Sequence, residues 1–119
     1  MLRPTNAAAP KARLFRALGD EPRLAVLEQL AAGELRVTDL AEQLGISQSS
    51  VSTHLATLHS AGVVARRTEG RSVYYGFVDA SVGQLLDDAD RVVMAGLQDA
   101  YACMQPCCVE PTSQEGARA

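Results

Sequence analysis

The sequence predicts a small, mainly α-helical domain that carries a single β-hairpin, and three observations lead to this fold class. The 119 residues, of which 47% are hydrophobic and 21% charged, fit one globular domain with a modest core. Apolar residues recur at helical spacing over most of the chain, and glycine or proline separates the helical segments. Two short segments rich in β-branched and aromatic residues flank one glycine-containing turn near the middle of the chain.

The first two predicted helices meet at a Gly-Asp pair. Helix one covers about residues 11–18 and has one apolar face. That face consists of Leu14, Phe15 and Leu18. Asp20 can cap helix two, Pro22 is tolerated in its first turn, and Gly33 is expected to end it. The apolar residues of helix two are Leu24, Val26, Leu27, Leu30 and Ala31.

Helices three and four form a pair joined by a glycine-containing turn. Thr38 is predicted to cap helix three, and Gly45 can end it in a left-handed conformation. The apolar residues of helix three are Leu40, Ala41 and Leu44. Ser47 can cap helix four, whose buried side is expected to contain Val51, Leu55 and Leu58. This order of elements is typical of a helix-turn-helix motif, although two ordinary packed helices would show the same pattern.

The β-hairpin is predicted from two strands, residues 63–68 and 71–78, with the turn at Glu69 and Gly70. One face of the second strand is expected to carry Val73, Tyr75 and Phe77. The tip of the hairpin has only one acid, Glu69, beside a cluster of three arginines. These are Arg66, Arg67 and Arg71. A basic hairpin after a helix-turn-helix predicts a winged helix-turn-helix whose arginines contact phosphates, with a solvated basic turn as the alternative.

The last long helix is predicted over about residues 81–101 and has a broad apolar stripe. The stripe consists of Val82, Leu86, Ala89, Val93, Leu97 and Ala100, and it is widened by Leu85, Val92 and Met94. A domain of this size has little core left to cover that stripe. We therefore expect a homodimer formed through the first and last helices, although packing within one subunit is the alternative. The domain would span residues 11–101, between a flexible arm (1–10) and a cysteine-containing segment and tail (102–119).

Charge and composition limit the functions that the chain could have. Residues 1–75 hold nine basic and seven acidic residues, a net +2, whereas residues 76–119 hold two basic and seven acidic residues, a net −5. A local basic surface can bind DNA under an acidic total. Aromatic residues are only 4% of the chain, which disfavours binding by base stacking. We find no apolar run long enough for a membrane span or signal peptide, so we expect a soluble, cytoplasmic protein without a membrane partner.

The sequence does not predict an enzyme. It contains no glycine-rich phosphate loop, no Ser-His-Asp set and no HExxH motif, and we expect no organic cofactor. The two histidines, His54 and His59, have no partner at ligand spacing. His54 is expected to face DNA and His59 to face solvent, so neither is given a metal role.

All three cysteines lie within six residues, at Cys103, Cys107 and Cys108. Three thiolates without a histidine suit thiophilic ions. As(III) or Sb(III) would take three sulfurs in a pyramid, whereas Cd(II) or Pb(II) would add water, a carboxylate such as Glu110, or a ligand from a second subunit. The alternatives are spare thiols on a tail and a thiol redox switch.

Three separated motifs of the chain resemble the ArsR/SmtB family of metal-sensing repressors. They are residues 17–24 (ALGDEPRL), residues 39–41 (DLA) with 44–55 (LGISQSSVSTHL), and residues 69–75 (EGRSVYY). The resemblance covers about residues 11–101. It implies a homodimeric winged-helix repressor that leaves its double-stranded operator DNA when metal binds. By position, the DNA-facing residues of helix four would be Ser47, Gln48, Ser49, Ser52, Thr53 and His54. The wing arginines would contact phosphates.

Two metal sites of the family lack their usual ligands in this sequence. The cysteine positions of the third helix hold Arg36 and Thr38, so the resemblance implies no site there. A second site uses Asp and His on the last helix. Asp79 is retained, but the histidine positions hold Ser81 and Val92.

A cadmium/lead branch of the family draws two cysteines from the fourth helix, where this chain has Thr57 and Ala61. That branch adds a cysteine from a C-terminal segment resembling residues 105–107, and Cys107 keeps it. We therefore predict a repressor whose inducer, As(III) or Sb(III) in preference to Cd(II) or Pb(II), binds the C-terminal cysteines. The alternatives are a winged-helix repressor switched by thiol oxidation or reactive sulfur, and a dimeric protein-interaction module without DNA binding.

Overall fold

A computed structural model describes residues 8–104, with side chains described through residue 99. The helices of this part are α1 (Ala8–Leu18), α2 (Glu21–Gln29), α3 (Val37–Leu44), α4 (Gln48–Ser60) and α5 (Ala80–Met104). The strands are β1 (Val64–Glu69) and β2 (Ser72–Phe77). This mainly helical chain with one hairpin confirms the predicted fold class. It divides into two compact units, the first ending at Gly83 and the second starting at Gln84 within α5.

The predicted caps of α2 and α4 are confirmed. The Asp20 carboxylate accepts a hydrogen bond from the backbone N–H of Arg23 at 3.2 Å. The Ser47 hydroxyl accepts one from the backbone N–H of Ser50 at 3.1 Å. Each cap satisfies an N–H group that has no partner inside its helix, and thereby fixes where the helix starts.

The predicted cap of α3, Thr38, is wrong. The helix begins at Val37 and Arg36 is the cap residue, because the Asp39 carboxylate accepts from the backbone N–H of Arg36 at 3.1 Å. The Arg36 guanidinium also contacts this carboxylate, at 3.3 Å, and the two hydrogen bonds lower the pKa of Asp39.

Two helices extend beyond their predicted ends. α1 includes Ala8 and Pro10, which the sequence placed in the arm. α5 continues to Met104 and so includes Cys103, which the sequence placed after the helix. The remaining arm, residues 1–7, and residues 105–119 lie outside the described residues.

The core of the first unit lies among α2, α3 and α4. Its fully buried side chains are Val26, Leu27, Leu30, Leu40, Val51, Leu55 and Leu58. This confirms the predicted buried side of α4. In α1 the buried residue is Ala17, and Phe15 is exposed on a helix that is expected to dimerise. The predicted apolar position Ala31 is wrong, because a 3₁₀ turn at Leu30–Ala32 follows α2 and leaves Ala31 exposed.

The hairpin turn lies one residue later than predicted. Glu69 pairs with Ser72, so Gly70 and Arg71 form the turn, and Gly70 takes the left-handed φ of 62° that favours glycine. On its other side β2 pairs with Leu35, which exchanges two backbone hydrogen bonds with Tyr75, at 3.0 and 2.8 Å. The wing is therefore attached to the segment between α2 and α3.

α5 buries its apolar stripe only near its start. Val82 and Leu86 are buried, whereas the later apolar residues are more than half exposed. These exposed residues are Val92, Val93, Met94 and Leu97. Among the described helices, none combines the length and the apolar character needed to cross a membrane.

Candidate nucleic-acid interface

α4 separates its side chains into an apolar buried side and a polar exposed side. Val51, Leu55 and Leu58 are at most 1% exposed. The exposed positions in the first half of α4 carry uncharged polar residues: Gln48, Ser49, Ser52 and Thr53. Small polar side chains let a helix backbone approach a groove closely while still offering hydrogen-bond donors and acceptors to base edges.

The N-terminus of α4 is held by its own hydroxyl groups. The Ser47 hydroxyl, besides accepting from the Ser50 N–H, lies 3.2 Å from the Ser49 hydroxyl and 3.0 Å from that of Ser50. Thr53 donates its hydroxyl to the Ser49 carbonyl at 3.0 Å. The Ser47 hydroxyl therefore caps the helix. Among the predicted DNA contacts of α4, it is the residue whose side chain makes the most hydrogen bonds within the described chain. His54 is half-buried.

The turn between α3 and α4 fixes how the two helices meet. Gly45 follows α3 with a left-handed φ of 69°, as predicted, and its N–H donates to the Ala41 carbonyl at 2.9 Å. The N–H of Ile46 donates to the same carbonyl at 3.2 Å. These bonds close α3 and let α4 start two residues later, at its Ser47 cap.

The three wing arginines are all exposed, but their surroundings differ. Arg66 and Arg71 have no carboxylate within 4 Å in the described part of the chain, and Arg66 lies 6.0 Å from the ring centre of Tyr75. Arg67 instead lies 4.9 Å above the Tyr74 ring and forms ion pairs with Glu34, at 2.8 Å, and Glu69. The prediction that Glu69 is the only acid beside the cluster is therefore wrong.

Glu34 is a functional candidate that the sequence analysis missed. Both of its carboxylate oxygens accept from Arg67, at 2.8 to 3.2 Å, and these bonds lower the pKa of Glu34 and raise the pKa of Arg67. The Glu34 side chain reaches Arg67 by crossing β2 at Gly76, where a Cβ atom would lie 3.0 Å from Glu34 Cγ. Glu34 and Arg67 lie 33 residues apart, so no local spacing could indicate the pair.

The predicted metal ligands fall at the edge of the described chain. Cys103 lies in the last turn of α5, where the side chain is not described, and Cys107 and Cys108 lie outside the described residues. Within the described residues, no three His, Cys, Asp or Glu side chains come together as a metal site would require. Asp79 instead accepts from the N–H of Ser81 at 2.9 Å; its bonds to Ser81 lower the pKa of Asp79.

Comparison with known proteins gives consistent matches over this region. The family model described as "Bacterial regulatory protein, arsR family" matches residues 20–66. The HTH-type transcriptional regulator NmtR of Mycobacterium tuberculosis is 46% identical over 85 residues, 71% of each chain. A cadmium resistance transcriptional regulatory protein, a CadC homologue of Staphylococcus aureus, is 38% identical over 66% of this chain and 65% of its own.

A solved structure shares the fold. It is the homodimeric winged helix-turn-helix DNA-binding domain of a possible ArsR-family regulator from Mycobacterium bovis, determined by NMR in solution. It superposes with a TM-score of 0.73 at 31% identity, covering 82% of this chain and 93% of that one.

Proposed function

Because the chain belongs to the ArsR family of bacterial regulatory proteins, we propose that it is a homodimeric transcriptional repressor of double-stranded operator DNA, released by a thiophilic metal or metalloid ion. Family membership also bears out the expectation that the chain is not an enzyme, since the family consists of DNA-binding regulators. The proposal has three parts, concerning DNA, dimerisation and the inducer.

The observation that carries the DNA part is the asymmetry of α4. Its buried apolar residues anchor it in the core, and its exposed polar residues are free to enter a major groove: Gln48, Ser49, Ser52 and Thr53. Arg66 and Arg71 would contact phosphates beside the groove, because neither has a carboxylate partner in the described chain. Arg67 would instead hold the wing in place through Glu34.

The dimer part is supported by the apolar residues that α1 and α5 leave exposed. Phe15 is 54% exposed, and Val92, Val93 and Leu97 are 57–72% exposed. Large apolar side chains left exposed on a helix are typical of an interface in a protein dissolved in water. We propose that the first and last helices of two subunits cover each other, which places two copies of α4 for successive major grooves.

The inducer part is supported by the donor set of the C-terminal segment. Cys103, Cys107 and Cys108 would hold the ion, and three thiolates without histidine favour As(III) or Sb(III) over Cd(II) or Pb(II). Since Cys103 lies on α5, a helix of the proposed dimer interface, an ion bound there would change the spacing of the two α4 helices. A coupling of about 1–3 kcal/mol between ion and DNA would suffice for about a 5–150-fold change in affinity.

The first test is native mass spectrometry of the reduced full chain with As(III), Cd(II) and Pb(II) added separately. We expect a dimer that takes up one ion per subunit and loses that uptake when Cys103 or Cys107 is changed to serine. Met104→Leu is the matched control, since it alters a sulfur in the same segment without removing a thiolate. Equal uptake by the cysteine variants would overturn the inducer site.

The second test measures release of fluorescently labelled DNA from the region upstream of the gene. As(III) should release the wild-type dimer and the Met104→Leu variant, but not Cys107→Ser. Release by hydrogen peroxide without any metal, together with no ion uptake, would assign the cysteines to thiol oxidation. Absence of salt-dependent DNA binding would contradict the repressor itself.

A further inference from the structure

A second basic surface lies in the first unit, and none of its lining residues belongs to the wing. An open cavity of about 480 Å³ is bounded by α1, the start of α2 and the C-terminal half of α4. Its polar lining consists of Arg13, Arg16, Arg23, Thr57 and Ser60. Alanines 17, 56 and 61 complete the lining, which contains no acidic side chain. We call this cavity the three-arginine pocket.

The charges of the three-arginine pocket are not compensated within the described chain. Arg36, Arg67 and Arg91 each have a carboxylate within 4 Å, but none of the three pocket arginines does. Three guanidinium groups around one cavity repel one another and create a local positive potential. Such a potential attracts an anion.

Arg23 is the fixed member of the pocket. Its Nη1 donates to the Ala17 carbonyl at 3.0 Å and lies 3.5 Å from that of Arg16, at the C-terminal end of α1. Its Nε is buried and has no hydrogen-bond partner among the described residues. A partly desolvated cation without a counter-charge is unfavourable, and an anion in the adjoining cavity would offset that cost.

We propose that the three-arginine pocket binds a tetrahedral oxyanion of the phosphate class. Guanidinium groups match the geometry of phosphate oxygens with paired N–H donors, and the hydroxyls of Thr57 and Ser60 add donors from the α4 side. The half-buried Thr57 and the exposed Ser60 continue the row of hydroxyl side chains on α4 that contains Ser49 and Thr53, at helical steps of four and three residues. Because Ser49 and Thr53 are proposed to contact DNA, the phosphate in the pocket could belong to a DNA backbone as well as to a free anion.

The deciding experiment is a titration of the ¹⁵N-labelled, reduced full chain with inorganic phosphate, with chloride at matched ionic strength as the reference. Backbone amide signals of Arg16 and Ala17 on α1, and of Thr57 and Ser60 on α4, should shift and saturate. Arg16→Gln removes one pocket charge, and its side chain makes no hydrogen bond within the described chain, so the fold should persist. We expect it to weaken phosphate binding about tenfold.

Arg91→Gln is the matched control, because it removes the same charge from an exposed arginine of α5. It should leave phosphate binding unchanged. Shifts that do not saturate, or that weaken equally in both variants, overturn the pocket as a site. The titration uses neither operator DNA nor a metal ion, so its failure is distinct from failure of the proposed repressor function.

A second arm identifies the source of the phosphate. Binding of a labelled DNA duplex is measured by anisotropy at several salt concentrations for wild type, Arg16→Gln and Arg91→Gln. If a backbone phosphate fills the pocket, Arg16→Gln alone should reduce the slope of log K against log salt by about 0.9. An unchanged slope beside saturable phosphate binding assigns the pocket to a free anion.

Discussion

The two units of the chain differ in how far their large apolar side chains are buried. In the unit that ends at Gly83, the large apolar side chains of α2, α3 and α4 are buried or half-buried, and Leu27, Leu40 and Leu58 are completely buried. In the unit that begins at Gln84, Val92 is 72% exposed and Leu97 57%. The first unit therefore has a core of its own, whereas the apolar surface of the second needs an outside partner.

We expect the largest effect on stability from a substitution in the core of the first unit. Leu55→Ala removes a side chain that is 1% exposed from the buried side of α4, and should lower the free energy of unfolding by about 2–5 kcal/mol. Urea denaturation at one fixed protein concentration measures this loss. The exposed neighbour Ser52→Ala should change it by less than about 0.5 kcal/mol. A loss below about 1 kcal/mol for Leu55→Ala would contradict the proposed core.

A substitution on the exposed apolar surface of the second unit should weaken dimerisation rather than folding. Leu97→Glu places a charge on the exposed apolar surface of α5 and should raise the dimer dissociation constant by about 30-fold or more. Analytical ultracentrifugation measures the constant, and circular dichroism checks that helix content is kept. Gln98→Glu adds the same charge one residue away, outside the predicted apolar stripe, and should have a much smaller effect. Equal effects of the two substitutions would argue against this surface as the interface.

The short range of capping hydrogen bonds explains which helix caps of the first unit the sequence could predict. The caps Asp20 and Ser47 were predictable because a capping side chain acts within three residues of its own position. Thr38 was the wrong cap because Asp39, one residue further on, reaches back to the N–H of Arg36. Periodicity alone could not decide between these two polar residues.

Contacts between residues far apart in the chain leave no local pattern from which they could be predicted. The bonds of Glu34 to Arg67 and the three-arginine pocket depend on how elements pack, since their residues come from separate helices and strands. The separation of buried apolar from exposed polar residues on α4, by contrast, follows from the period of one helix, and the contact of those polar residues with DNA stays a prediction. The cysteine site stays a prediction, because Cys107 and Cys108 lie outside the described residues.

A smaller change in stability should show that Ser47 caps α4. Ser47→Ala removes the acceptor of the Ser50 N–H and should cost about 1 kcal/mol of unfolding free energy. Ser47→Asp keeps an acceptor at the cap and should restore most of that stability. Thermal unfolding followed by circular dichroism compares the three proteins. Equal losses in both variants would show that the hydroxyl matters for something other than capping.

The smallest effect concerns the attachment of the wing to the segment between α2 and α3, and it depends on pH. The folded protein lowers the pKa of Glu34, because Arg67 donates to its carboxylate. The ion pair therefore adds stability above the ordinary glutamate pKa and loses it as the pH falls through the lowered value. Glu34→Gln should be slightly less stable than wild type at about pH 7 in urea denaturation, and the difference should be smaller at about pH 3. Glu42→Gln, which removes an exposed carboxylate without an ion pair in the described chain, should show no such convergence. If the wild type and Glu34→Gln differ equally at both pH values, the carboxylate acts through its shape beside Gly76 rather than through its charge.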